Sequence, residues 1–193
     1  MRDTVIENLY WHYLHFDRYR ALFYNISGVI TVAEQEMRKH RCCFTGHRPQ
    51  KLSRSESAIK SDLEKAIVKA IGMGYQTFIT GMAYGVDIWA GQIVVELRKN
   101  NPDLHLIAAI PFPGFESRWS NEWRQAYADL LGKADLVRYI CPSYNAGAYQ
   151  RRNEWMVDHS AHLIAVYDGA SGGTRNTIDY AKRCGITIEQ ISG

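Results

Sequence analysis

From Arg41 onward, short apolar runs alternate with longer amphipathic stretches. The runs Arg41–Thr45, Gln76–Thr80, Leu104–Ile110, Leu136–Ile140, His162–Tyr167 and Ile186–Ile191 predict strands. Between them the period changes to that of a helix. Ser55–Met73 places Ile59, Leu63, Ala66, Ile67 and Ala70 on one face, and Val86–Lys99 aligns Ile88, Trp89, Ile93, Val94 and Leu97. Ser117–Leu131, Ala148–Ser160 and Thr174–Cys184 complete the helices. Several strands are apolar almost throughout, as expected when helices cover both faces of a sheet. The alternation therefore predicts an α/β fold with a parallel sheet.

Residues 1–40 follow another pattern and form a separate N-terminal extension; residues 41–193 form the α/β domain. Val5, Ile6, Leu9, Tyr10, Tyr13, Leu14, Asp17 and Ala21 approximate a helical stripe. The favoured reading is a helix packed on the domain or on a second copy of the chain. Asp3, Glu7 and Asp17 offset Arg2, Arg18 and Arg20, which disfavours a helix lying on a membrane surface.

Composition narrows the class. The chain has 193 residues, 46% hydrophobic and 22% charged, with a formal net charge of +3. These values exclude an intrinsically disordered chain. They also argue against a dedicated duplex-DNA binder, which concentrates basic residues on one face. Cys42, Cys43, Cys141 and Cys184 include no C-x-x-C pair, and no Cys/His cluster has zinc spacing. Buried thiols of a reduced cytoplasmic protein fit them best. No run reaches the roughly 20 apolar residues of a membrane span. No metal or cofactor is expected, nor a membrane.

Ligands of open α/β sheets bind beyond the C-terminal ends of the strands, where loops enter helix N-termini. The first such loop reads Thr45-Gly46-His47-Arg48-Pro49; Gly46 permits close approach and Arg48 suits a phosphate or carboxylate. The second runs from Gly81 to Gly85 and on to Asp87, which either caps the helix or accepts from a ribose hydroxyl. Its spacing matches neither a Walker A loop nor the G-x-G-x-x-G fingerprint. The third carries Phe112, followed by Trp119 and Trp123, four residues apart. The fourth leads through Tyr144 and Tyr149 to Arg151, Arg152, Asn153 and Asp158, with paired arginines set against the helix dipole. The fifth, Asp168 to Thr174, is the strongest signal, because Gly172 and Gly173 let backbone approach an anion that Thr174 can also contact. Together the loops predict a phosphorylated or nucleotide-like ligand.

The stretches T-G-H-R-P (45–49), G-M-A-x-G-x-D-x-W-A (81–90), Y-Q-x-R-N-x-x-M-V-D (149–158) and Y-D-G-x-x-G-G-T (167–174) resemble the YpsA-like family of the SLOG superfamily. The resemblance runs from about Arg41 to Ile191 and leaves out residues 1–40. It implies a Rossmann-like three-layer sandwich with a mostly parallel sheet and a nucleotide-derived ligand at its C-terminal edge. Relatives in the superfamily include LOG phosphoribohydrolases, with an Arg-Lys-x-x-Met helix motif and a P-G-G-x-G-T-x-x-E loop. Arg152 and Met156 match the first motif, with Asn153 in place of Lys. Gly172-Gly173-Thr174 matches part of the second, and Thr177 replaces its Glu.

Three functions follow in order. The first is a sensor or regulator that binds a nucleotide-derived ligand. Arg48, Arg151 or Arg152 would neutralise phosphate, and Asp87 would hold ribose. The second is an N-glycosidic hydrolase, ranked lower because the carboxylate that would stabilise an oxocarbenium-like transition state is absent at Thr177; Asp87, Asp158 or Asp168 would have to substitute. The third, single-stranded nucleic-acid binding through stacking aromatics, is disfavoured by the near-neutral charge. Homodimerisation is a further expectation, since the aromatic N-terminal segment needs cover.

Overall fold

The computed structural model describes residues 32–193. The N-terminal stripe from Val5 to Ala21 lies outside the described residues. The chain divides into two units between Arg38 and Lys39. From the first, the described part is the short helix α1, Val32–Arg38.

The second unit is an α/β sandwich. Its strands are β1 (Arg41–Gly46), β2 (Thr77–Thr80), β3 (His105–Ile110), β4 (Leu136–Tyr139), β5 (His162–Tyr167) and β6 (Thr187–Ser192). Between them run α2 (Glu56–Gly72), α3 (Val86–Leu97), α4 (Asn121–Leu131), α5 (Ala148–Asp158) and α6 (Gly173–Arg183). The six strands lie in the order β4-β3-β2-β1-β5-β6, and every pairing is parallel. The expected Rossmann-like fold is thus present, with a wholly parallel sheet among the described residues.

Side chains of one strand alternate between two cores. Cys42 and Phe44 join Phe78 and Leu106 beneath α2, α3 and α4. Cys43 joins Ile79, Ile107 and Leu163 against Met156 and Val157 of α5 and Ile178 of α6. Both faces of β1 are fully buried, which explains why its sequence shows no polar alternation. The stripe Ile59, Leu63, Ala66, Ile67 and Ala70 is the buried face of α2.

Helix α4 starts later than the Ser117 predicted from periodicity. The Ser120 side chain accepts from Trp123 N–H and caps the helix at Asn121. Turns closed by Ser117 N–H to Gly114 O and by Trp119 N–H to Glu116 O occupy the segment before it. Trp119 and Trp123 therefore do not share a helical face.

After β1 the chain builds outward through β2, β3 and β4; it then returns to place β5 on the other side of β1. The loops that follow β1 and β5 leave in opposite directions. The crevice between them is the topological switch point where such sheets bind ligands.

Candidate functional site

The β1 loop is held from three sides. An added Cβ at Gly46 would lie 2.5 Å from Val86, so the N-terminus of α3 packs directly on that backbone. Thr45 and His47 are buried, and His47 N–H donates to Val166 O at 3.3 Å. His47 Nε2 lies 2.9 Å from Asp168 Oδ1, which ties the β1 loop to the β5 loop across the crevice. Arg48 donates from Nη1 to Tyr84 O at 3.3 Å, and its guanidinium lies 3.9 Å from the Tyr84 ring centre. A ring face of this kind attracts a cation while leaving the outer guanidinium edge available.

The β2 loop is built around buried charge. Met82 is fully buried at φ 58°, the left-handed region that a residue with a side chain enters only when its surroundings force it. Thr80 Oγ1 accepts from Met82 N–H at 3.2 Å and donates to Asp87 O at 2.7 Å. Asp87 Oδ2 accepts from Ala83 N–H at 3.3 Å and lies 3.9 Å from Arg152 Nη1. Arg152 donates from Nη1 to Gly81 O and from Nε to Asn153 Oδ1, the latter at 2.8 Å. A Cβ at Gly81 would lie 2.6 Å from Asp87 Oδ2 and would strike Arg152, so only glycine leaves room for this contact.

Burial pushes the Asp87 carboxyl above its ordinary value, against the pull of Arg152 and then Arg48. Burial likewise lowers the Arg152 guanidinium, while Asp87 raises it and Arg48 lowers it further. Two arginines thus act on one buried carboxylate.

The β5 loop supplies backbone donors. Asp168 Oδ1 accepts from Ala170 N–H at 2.9 Å; that bond, with His47 contributing less, holds the carboxyl below its ordinary value. Gly172, at φ 142°, opens α6, whose first-turn N–H groups have no partner within the helix. A Cβ at Gly173 would stand 3.9 Å from Asn153 Nδ2, which places the α5 amide against this helix end. Thr174 is buried there, and Thr177 donates its hydroxyl to Gly173 O at 2.8 Å.

Thr45, Gly46, His47, Arg48, Gly81, Gly85, Asp87, Arg152, Asn153, Asp168, Gly172, Gly173 and Thr174 therefore all lie towards one sheet edge: Thr45 and Gly46 end β1, Arg152 and Asn153 sit midway along α5, and the others occupy loops or helix starts. Two candidates do not join them. Arg151 turns to the β4 loop, donating from Nε to Cys141 Sγ at 3.4 Å and from Nη2 to Asn145 Oδ1. Asp158 ends α5, about 15 Å along the axis from Ala148. It accepts from Tyr180 O–H at 2.9 Å near the opposite edge of the sheet. Both share the helix that carries Arg152, but Arg151 faces sideways and Asp158 lies too far down.

An aromatic wall completes the edge. Tyr84 meets Trp119 at 5.2 Å and Trp123 at 5.6 Å, and Phe115 meets Trp119 at 4.9 Å. Phe112 meets both Tyr144 and Tyr149. The part played by Tyr84 was hidden in the sequence, although its place between Gly81 and Gly85 was the available signal. Among the described residues, no group of three or more His, Cys, Asp or Glu side chains could hold a metal. No helix among them is long and apolar enough to cross a membrane.

Comparison with known proteins places these loops in a wider group. Residues 42–188 match the family model described as YspA SLOG family. The SPbeta prophage-derived protein YoqJ of Bacillus subtilis is 38% identical over 118 residues, covering 55% of this chain and 69% of YoqJ. The UPF0398 protein BH1768 of Halalkalibacterium halodurans is 31% identical over 139 residues, covering 68% of this chain and 74% of that protein. Among solved structures, DNA processing protein A from Streptococcus pneumoniae aligns with TM-score 0.57 at 17% identity. That match covers 81% of this chain and 52% of the pneumococcal one, so the chain spans about half of that protein. DNA processing protein A from Helicobacter pylori, solved for its single-stranded DNA binding mode, gives TM-score 0.57 at 14% identity over 86% of this chain and 70% of that one.

Proposed function

The chain belongs to the YspA SLOG family, and from that premise we propose that it binds a nucleotide-derived ligand at the β1/β5 switch point in a sensing or regulatory role. The observation that carries this reading is that Arg48 acts on the buried Arg152–Asp87 pair, while Asn153, next to Arg152, stands against the glycine-rich opening of α6. A phosphate fits the first-turn N–H groups after Gly172, with Asn153 Nδ2 beside it. Arg48 adds a guanidinium edge that can pair with two phosphate oxygens.

Arg152 plays a different part. Its Nη1 and Nε already serve Gly81 O and Asn153 Oδ1, so it shapes the crevice and contributes positive potential rather than reaching outward. Asp87 holds the Ala83 amide and sets the β2 loop. Binding is favoured over base cleavage because Thr177 spends its hydroxyl inside the helix and brings no carboxylate to the ligand. Asp158 lies too far away to substitute.

Calorimetry of the full chain against AMP, NAD, ADP-ribose and a single-stranded oligonucleotide tests this reading. A mononucleotide-sized ligand should bind, and Arg48→Ala should weaken it at least tenfold. Silence towards all three small ligands would overturn it. The Helicobacter pylori neighbour makes the oligonucleotide the second class to examine. Binding only to that probe, with a steep salt dependence, would transfer the site to nucleic acid.

A further inference from the structure

We propose that the planar ring of the ligand stacks on Tyr149 and Tyr144, on the β4 side of the two arginines. The inference rests on the proposed nucleotide site and deepens it by naming the surface that reads the base.

Most aromatic faces at this edge are already occupied. Tyr84 carries the Arg48 guanidinium on its ring and meets two tryptophans. Trp119 is packed by Phe115 and Tyr127. Tyr144 and Tyr149 differ, being 67% and 39% exposed. Each meets the buried Phe112 with ring centres 5.4 and 5.6 Å apart and planes at 75°. An edge-to-face contact covers at most one face of either tyrosine, so each is anchored and retains a face for another ring.

Their position fits a ligand that carries both a ring and an anion. Tyr149, the second residue of α5, stands three residues, about 4.5 Å along the axis, before Arg152 and four residues before Asn153. Residues three and four apart share a helical face, so Tyr149, Arg152 and Asn153 look toward the same space. Phosphate at the start of α6 and a base over Tyr149 would thus be joined along the face of α5. A nucleobase suits the two tyrosines because base–aromatic stacking depends on flat faces and little on base identity. Arg48 and Arg152 supply the opposite charge for its phosphate.

The test compares 1,N6-etheno-AMP with ribose 5-phosphate, which lacks the ring, as ligands of the full-length chain. Wild type should bind etheno-AMP more tightly than ribose 5-phosphate. Tyr144→Ala and Tyr149→Ala should each weaken etheno-AMP about tenfold or more and change ribose 5-phosphate less than about twofold. Tyr144→Phe and Tyr149→Phe should restore binding, because stacking needs the ring and not the hydroxyl. Equal losses for both ligands, or no loss, would overturn the proposal. If wild type binds ribose 5-phosphate as well as etheno-AMP, the phosphate site stands and the base surface falls. If wild type binds neither, this inference falls, and the wider ligand panel alone decides the nucleotide reading. Affinity for oligo(dT) that climbs with length and is lost in the alanine variants would assign the tyrosines to a polynucleotide and overturn the mononucleotide assignment.

Discussion

The sheet carries a buried polar cluster at each end, and the two are solved differently. At the C-terminal edge, Asp87 and Arg152 keep the Ala83 amide and the Gly81 carbonyl of the β2 loop, the Asn153 side chain of α5 and each other as partners. At the N-terminal edge, His162 starts β5 in register with Cys42 and Thr187. It stacks on Tyr75 with ring centres 5.1 Å apart, and neither ring nitrogen has a hydrogen bond. Its nearest charge, Glu189 Oε2, is 3.9 Å away and is held by Lys69 Nζ at 3.0 Å. Loops after strands can turn N–H and C=O groups inward, whereas backbone groups at the start of a strand are committed to the ladder. A charge therefore survives burial at one edge, and the histidine loses its charge at the other.

The strongest way to break this contrast is to remove Arg152. Arg152→Ala would leave the Asp87 carboxylate and the Gly81 carbonyl buried without their partner. Breaking a buried pair in this way costs about 3–5 kcal/mol. Urea unfolding should show that loss, and a change below about 1 kcal/mol would mean the pair does not hold the loop.

The second effect tests the geometry that lets the loops approach. Gly85 sits at φ 90°, and a Cβ there would lie 2.6 Å from Pro49 Cδ. Gly85→Ala combines left-handed strain with a clash between the β1 and β2 loops, and should cost about 1–3 kcal/mol. An unfolding midpoint equal to that of wild type would show that the loops separate freely.

Much of this was legible along the chain. The predicted strand at His162–Tyr167 has the observed ends, because apolar runs bounded by turns define strands without reference to their neighbours. Arg152 and Met156 are four apart, a spacing that puts them on one face of a helix, and both are buried in α5. Other features needed three dimensions. Arg151 and Arg152 look alike in sequence, yet a rotation of about 100° per residue sends one to the β4 loop and the other into the core. Asp158 has helical spacing with Glu154, but periodicity says which face a residue occupies and not which end of the sheet it reaches. Met82 adopts a positive φ with no glycine or asparagine to announce it. Position along the sheet axis and long-range convergence were the missing information.

The third effect concerns pH. Burial lowers the His162 pKa from 6.5; Glu189 pulls it up and Lys69 down, with Tyr75 and Cys42 also packed nearby. The unfolded chain consequently binds the proton more readily than the folded one. The contribution of neutral His162 is complete above about 6.5 and is lost as pH falls from there through the lower folded value. Denaturation midpoints measured from pH 7.5 to 5 should decline, and His162→Gln should flatten that decline. Asp87 has the opposite sign: its raised pKa means the folded state favours its proton, so its own contribution grows as pH drops towards the carboxylate range. An unchanged slope in His162→Gln would remove the N-terminal cluster from the comparison.

The smallest stability effect belongs to Arg48 and separates architecture from recognition most sharply. Arg48 and Arg152 both act on the Asp87 carboxyl, yet only Arg152 is buried. The contacts described for Arg48 are the Tyr84 carbonyl and the faces of Tyr84 and Trp119. Losing this partly buried cation–ring contact and the Tyr84 carbonyl bond should cost Arg48→Ala about 1 kcal/mol of unfolding free energy, well below the loss for Arg152→Ala. Binding of the small-ligand panel should nevertheless fall at least tenfold. Arg48→Lys should not restore it, because a single ammonium cannot reproduce the planar two-pronged donor set. A large stability loss with binding intact would reverse the assignment and make Arg48 another strut of the β2 loop. The expected result would assign the buried arginine to building the crevice and the half-exposed one to reading what enters it.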